Sequence, residues 1–153
     1  MAIFTETWLD NNIPDAALEL VGHSLFRANR TAASGKTKGG GLALYIHNSW
    51  CTAANTIRTF CSPDLEYLAV KCRLFKLVKE LSSVLNIAAY IPLQANAKLA
   101  LEELCRLISS NMNANPEAAV TVAEDFNHVE LKAVLPKFHK FINFPTRDDN
   151  KLD

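Results

Sequence analysis

Short apolar runs, each closed by a turn former or a carboxylate, set the rhythm of this chain, and runs of that length indicate strands. Ala2 to Trp8 reads as a short strand that meets Glu6. His23 to Ala28 reads as an extended segment, and Leu42-Ala43-Leu44-Tyr45-Ile46 as a buried strand entered from three glycines, Gly39 to Gly41. Leu65 to Cys72 alternates Leu65, Tyr67 and Ala69 against Glu66, Leu68 and Val70, so both faces of that strand should be partly buried. Ser82 to Ile91 is an apolar strand stopped by Pro92. Ala119 to Ala123 is another, ending in Glu124-Asp125-Phe126-Asn127-His128.

Helical spacing is clearest from Ala97 to about Met112, where Leu101, Leu104, Cys105, Ile108 and Met112 share one face and Asn96 is placed to cap the start. Asp15 to Leu20 allows at most a turn or two of helix, and Lys132 to Lys140 a short one around Pro136. Thr31 to Gly41 is rich in Gly, Ser, Thr and Lys, and reads as a loop. Several strands in succession, then a helix, then a strand, predict a mixed α/β chain built on mixed or antiparallel sheets, not a doubly wound parallel sheet. The 153 residues suit one domain spanning positions 1–153.

Composition narrows the classes. Hydrophobic residues make up 49% and charged residues 21%, which suits a globular chain and not a disordered one. No apolar run nears the roughly 20 residues of a membrane span, so no membrane association is expected. Met1 to Glu6 carries no basic leader, so the chain is expected inside the cell, in nucleus or cytoplasm, and not secreted. Cys51, Cys61, Cys72 and Cys105 show no C-x-x-C spacing, which argues for reduced thiols over a zinc site or a disulfide framework.

Net charge is zero, yet its distribution is lopsided. No Asp or Glu occurs between Val21 and Pro63, while Arg27, Arg30, Lys36, Lys38 and Arg58 all do. Such a stretch can form a positive face able to meet phosphates, although an ordinary solvated loop reads the same way. Two strands end in carboxylates, Glu6 and Asp125. A carboxylate pair meeting at a sheet edge suits Mg²⁺, which prefers oxygen ligands and keeps several waters; each acid taken alone is more readily a helix cap or turn former. Alternation points Asp125 and Asn127 the same way, where a carboxylate and an amide can hold a water and a phosphate oxygen. Tyr90 closes its strand with a phenol able to donate to such an oxygen, or with an ordinary half-buried ring.

Taken in order, these segments resemble a known family. Thr5-Glu6-Thr7-Trp8-Leu9 is similar to the E-T-W-L strand of retrotransposon endonucleases. Arg27 to Tyr45, with its Arg-Ala-Asn-Arg and Gly39-Gly40-Gly41-Leu42, is similar to their R-x-D-R…G-G-G-L-x-x-Y segment. Cys61 to Leu68 and Tyr90-Ile91-Pro92 follow in family order. Glu124-Asp125-Phe126-Asn127 resembles the G-D-F-N motif, and Phe144-Pro145-Thr146-Arg147 with Leu152-Asp153 resembles the late P-T-R…L-D segment. The chain thus resembles the endonuclease/exonuclease/phosphatase family, specifically the AP-endonuclease-like domain of non-LTR (LINE-type) retrotransposons.

That resemblance implies a four-layered α/β sandwich: two mixed sheets flanked by helices, here incomplete at both ends. It implies Mg²⁺ as cofactor, with Mn²⁺ as a substitute, and Glu6 as its ligand. It gives Tyr90 contact with the scissile phosphate, Asp125 the attacking water, and Asn127 a share of water and phosphate. Asp153 would lie close to the site. Arg27, Arg30, Lys36, Lys38 and Thr146 would meet nucleic acid. The implied reaction is phosphodiester hydrolysis that nicks DNA and leaves a 3′-hydroxyl to prime reverse transcription, with DNA as partner and a reverse transcriptase domain beside it in a full-length element.

This sequence departs from the family pattern in four places. The first strand with its Asn and the final Ser-Asp-His triplet are absent, Glu124 stands where the motif has glycine, and Asn29 stands between the arginines where Asp is usual. These departures lead to an expectation of weak or no catalysis. The rival expectation is a non-catalytic nucleic-acid-binding remnant using positions 27–58; a third is a phosphatase or phospholipid-directed relative on the same fold.

Overall fold

The computed structural model describes residues 1–76, 78–125, 135, 136, 138, 139 and 141. Among these, two sheets and one α-helix form a mixed α/β fold. Strands β1 (Ala2–Thr5), β2 (His23–Ala28) and β3 (Leu42–His47) make a three-stranded antiparallel sheet in the order β1-β3-β2. Strands β4 (Cys51–Cys61), β5 (Glu66–Leu74), β6 (Ser83–Tyr90) and β7 (Ala118–Asp125) make the second sheet in that order. Its first three strands are antiparallel; β6 and β7 run parallel, joined through helix α1 (Ala97–Ala114). Only this second sheet is mixed among the described residues. No helix there is long and apolar enough to cross a membrane.

The two-sided alternation of β5 explains the layering. Leu65, Tyr67 and Ala69 pack with Leu85, Ile87 and Ala89 of β6 against Leu104, Leu107 and Ile108 of α1. On the other face, Leu68, Val70 and Cys72 pack with Ala88 and Tyr90 against Leu42, Leu44 and Ile46 of β3. The central strands are therefore covered on both sides, by helix and by sheet. The outer face of the first sheet is partly covered by a 3₁₀ turn at Asp15–Leu18. Tyr45 donates from its hydroxyl to the Leu18 carbonyl at 2.8 Å, and Arg27 pairs with Asp15 at 2.8 Å.

Two elements differ from expectation. β4 is invisible to a hydrophobic pattern because it is an edge strand with most residues exposed and two irregularities in its register. The buried stripe of α1 is Ala100, Leu104, Leu107 and Ile108, so Leu101 and Cys105 flank it and Met112 is 42% exposed. The cap is as expected: Asn96 accepts from the backbone N–H groups of Lys98 and Leu99. The short helix expected around Pro136 lies largely outside the described residues.

Leu104 is fully buried where α1 meets the second sheet. Leu104→Ala should destabilise the fold by about 2–5 kcal/mol, while Met112→Ala, at the exposed end, should change stability by less than about 1 kcal/mol. Urea unfolding followed by circular dichroism measures both.

Candidate functional site

Both sheets end at one edge of the molecule, and the register of the second sheet builds one wall of the site there. Glu66 opens β5, Tyr90 closes β6 and Asp125 closes β7, and the three are direct cross-strand partners. Partners in register share a face, and Tyr90 belongs to the core between the sheets. The row Glu66–Tyr90–Asp125 therefore faces the first sheet. From that sheet come Glu6, just past β1; Arg30, just past β2; and the glycines just before β3.

Glu6 sits at the centre. The Tyr90 hydroxyl donates a short hydrogen bond to Glu6 Oε1, and the Trp8 indole Nε1 donates to Oε2 at 2.8 Å. Burial by itself would raise the Glu6 carboxyl, but the bonds from Tyr90 and Trp8, the charge of Arg30 and the Gly40 backbone N–H outweigh it and hold the group below its ordinary value. Glu6 is thus ionised at neutral pH. Tyr90 is pushed far the other way, by burial first, then by its bond to Glu6 and the negative charges of Glu6 and Asp125, with Arg30 opposing. At neutral pH its phenol is a donor and not a phenolate.

Arg30 holds the two sheets together behind this pair. Its Nε bonds Glu66 Oε1 at 2.5 Å, its Nη1 bonds the Lys38 carbonyl at 2.8 Å, and its guanidinium carbon lies 5.9 Å from the centre of the Tyr90 ring. The other Glu66 oxygen accepts from the Gly41 N–H at 2.8 Å. Both side chains of the ion pair are nearly out of solvent, at 9% and 3% exposure. The glycine triplet follows from this packing. All three glycines have positive φ (80°, 68° and 83°). A Cβ on Gly40 would fall on the Arg30 guanidinium, and one on Gly41 would come within 2.8 Å of Thr7 Oγ1. Carbonyls of Gly41 and Gly40 in turn accept from Thr7 N at 3.2 Å and Trp8 N at 2.9 Å, which sets the turn that carries Glu6.

Of the residues singled out in the sequence, Glu6, Tyr90 and Asp125 thus come together. Asn127, Thr146 and Asp153 lie outside the described residues. Two of the four cations expected to meet nucleic acid are engaged inside the fold: Arg27 with Asp15, and Arg30 with Glu66. Lys36 and Lys38 remain exposed. Glu66 is the participant that pattern reading missed. Its place beside Leu68 and Val70 on a covered face was the available signal, because a carboxylate there requires a cation or several donors.

No group of three His, Cys, Asp or Glu residues stands at metal-binding spacing among the described residues. Glu6 itself has the donor chemistry for Mg²⁺. It is ionised and exposed, and each oxygen accepts one side-chain bond and keeps acceptor capacity. Mg²⁺ is commonly held by one or two carboxylates together with waters and substrate phosphate.

Removing one member of the Arg30–Glu66 pair should be far worse than removing both. Arg30→Met leaves a buried carboxylate without its cation and should cost about 3–5 kcal/mol; adding Glu66→Met should recover a large part of it in the same unfolding assay. Tyr90 should stay protonated through pH 10 in the folded protein. Folding stability linked to it is then fully present below pH 10 and lost as the unfolded phenol ionises above it. Absorbance titration at 295 nm should show Tyr90→Phe removing no phenol that ionises below pH 10 in the native state. Compared with known proteins, the chain matches no family model and no curated protein sequence.

Proposed function

We propose that this chain is a magnesium-dependent phosphodiester hydrolase domain of the endonuclease/exonuclease/phosphatase type, acting on DNA as a nicking endonuclease of the retrotransposon kind. The observation that carries the reading is the meeting of Glu6, Tyr90 and Asp125 at one sheet edge, from three strands far apart in sequence. Together with the order of the motifs, that meeting favours a hydrolase site over three unrelated turn residues. The sheet–sheet–helix layering is compatible with a four-layered α/β sandwich, which we propose as the complete architecture.

In this reading Glu6 would hold Mg²⁺. The bound ion would stabilise negative charge developing on the phosphate. Tyr90 has a single O–H, now given to Glu6. Once Glu6 turns to a cation, that proton is available to a phosphate oxygen. Asp125, across the ladder from Tyr90, would accept a proton from an attacking water and orient it. Arg30 and Glu66 take no part in the chemistry; they hold the glycine loop and so the turn that presents Glu6.

A second reading, nucleic-acid binding without catalysis, is favoured by one observation: Lys36 and Lys38 are exposed on the loop beside the site. In that case Lys36 and Lys38 would meet phosphates.

Supercoiled plasmid incubated with the purified chain separates the two. Hydrolysis requires nicking in Mg²⁺, weaker or comparable nicking in Mn²⁺ and none in EDTA, with a loss of at least about 100-fold in Asp125→Ala and in Glu6→Gln. Equal relaxation by Asp125→Ala and the parent would remove Asp125 from the mechanism. DNA binding that survives EDTA without nicking in Mg²⁺ would establish the binding reading instead.

A further inference from the structure

Among the described residues only Glu6 and Trp8 hold positive φ without being glycine, at 54° and 56°. Backbone of this kind is costly for a bulky residue and persists where the surroundings impose it. For Glu6 the result is contact with Tyr90. For Trp8 the conformation gains no burial, because the side chain stays 64% exposed. The ring is nevertheless held in place. Its Nε1 donates to Glu6 Oε2, its backbone N–H bonds the Gly40 carbonyl, and its Cε2 lies 3.8 Å from where a Cβ on Gly39 would stand.

The ring is therefore a fixed, solvent-facing aromatic surface with one edge tied to the central carboxylate. It borders the loop that carries the exposed Lys36 and Lys38, and the Lys38 carbonyl is itself pinned by Arg30. No acid occurs from Gly22 through Ser62, so Lys36 and Lys38 have no carboxylate on their own segment. A rigid aromatic face beside lysines is how proteins take unpaired nucleobases: the base stacks on the ring and the flanking phosphates meet the cations. In the sequence, Trp8 stands far from both lysines; the fold brings it against Gly39 and Gly40, next in the chain to Lys38.

We propose that Trp8 is a nucleobase-stacking platform at the mouth of the site, receiving one unpaired base of a single-stranded segment while Lys36 and Lys38 hold its neighbouring phosphates. The proposal rests on the hydrolase reading of the Glu6–Tyr90–Asp125 cluster, and adds to it the substrate feature recognised there, an unstacked base next to the reacting phosphate.

The chain has two tryptophans. Trp50 lies in the turn after β3, at the opposite end of that strand from the glycine loop, so Trp50→Phe leaves Trp8 as the sole indole reporter. In that background, an oligothymidine of about ten nucleotides should quench Trp8 fluorescence saturably, and inorganic polyphosphate of matched charge should not. Trp8→Leu should weaken oligothymidine binding, read by anisotropy of a labelled strand, about tenfold. Trp8→Phe, which keeps an aromatic face and loses the bond to Glu6, should retain most of the affinity. Circular dichroism confirms that both variants are folded.

No quenching by oligothymidine, equal quenching by polyphosphate, or unchanged affinity in Trp8→Leu each overturns the platform. Plasmid nicking by the same Trp50→Phe protein keeps the two ideas apart. Mg²⁺-dependent nicking without quenching removes the platform and leaves the hydrolase reading. Quenching without nicking supports the platform and removes the hydrolase reading.

Discussion

The buried ion pair between Arg30 and Glu66 is the contact on which the rest of this edge depends. It joins the end of one sheet to the start of the central strand of the other, and it does so where both groups are almost out of water. A charge pair in that position is stable only when its remaining bonds are made. Here they are: Lys38 and Gly41 supply a carbonyl and an N–H from the same loop. The loop can come that close because residues 39–41 have no side chains. Fixing it fixes the carbonyls of Gly40 and Gly41, and these set the backbone of Thr7 and Trp8. The position of Glu6 is thus determined at the end of a chain of contacts that begins with Arg30.

This explains why some of the structure could be read in the sequence and some could not. Helix α1 and its Asn96 cap, and strands β3, β5, β6 and β7, are local patterns: a helical stripe, or an apolar run with a defined stop. Glu6 and Asp125 could be singled out because each follows such a run. Their relation to Tyr90 was implied by the resemblance and not by any local pattern, since it depends on the register by which β5, β6 and β7 align Glu66, Tyr90 and Asp125. The edge strand β4 lacked a pattern because half-exposed edges do not need one. The basic stretch is less free than its composition suggests. A count of Arg and Lys does not register that Arg30 has its carboxylate 36 positions away and Arg27 has Asp15 on the outer face of the sheet.

Charge balance at the edge gives the last step. Glu6, Glu66 and Asp125 bring three carboxylates to the neighbourhood of Tyr90, and Arg30 is the cation that acts on both Glu6 and Tyr90. Its short bond is to Glu66, so that pair is close to neutral. Glu6 and Asp125 form no salt bridge among the described residues. What stabilises Glu6 as an anion is chiefly two neutral donors, Tyr90 and Trp8, with the charge of Arg30 and the Gly40 N–H adding less. Neutral donors keep a carboxylate ionised without cancelling its charge, so the negative field remains. A folded edge that leaves such a field beside exposed lysines and a fixed indole has opposite electrostatic demands a few residues apart. A phosphate at the lysines would be repelled by the carboxylates, and a divalent cation between phosphate and carboxylate would satisfy both. The same arrangement without a cation would favour nucleic acid at the loop and exclude it from Tyr90. Under the hydrolase reading, Mg²⁺ would therefore act on the whole edge and not on Glu6 alone.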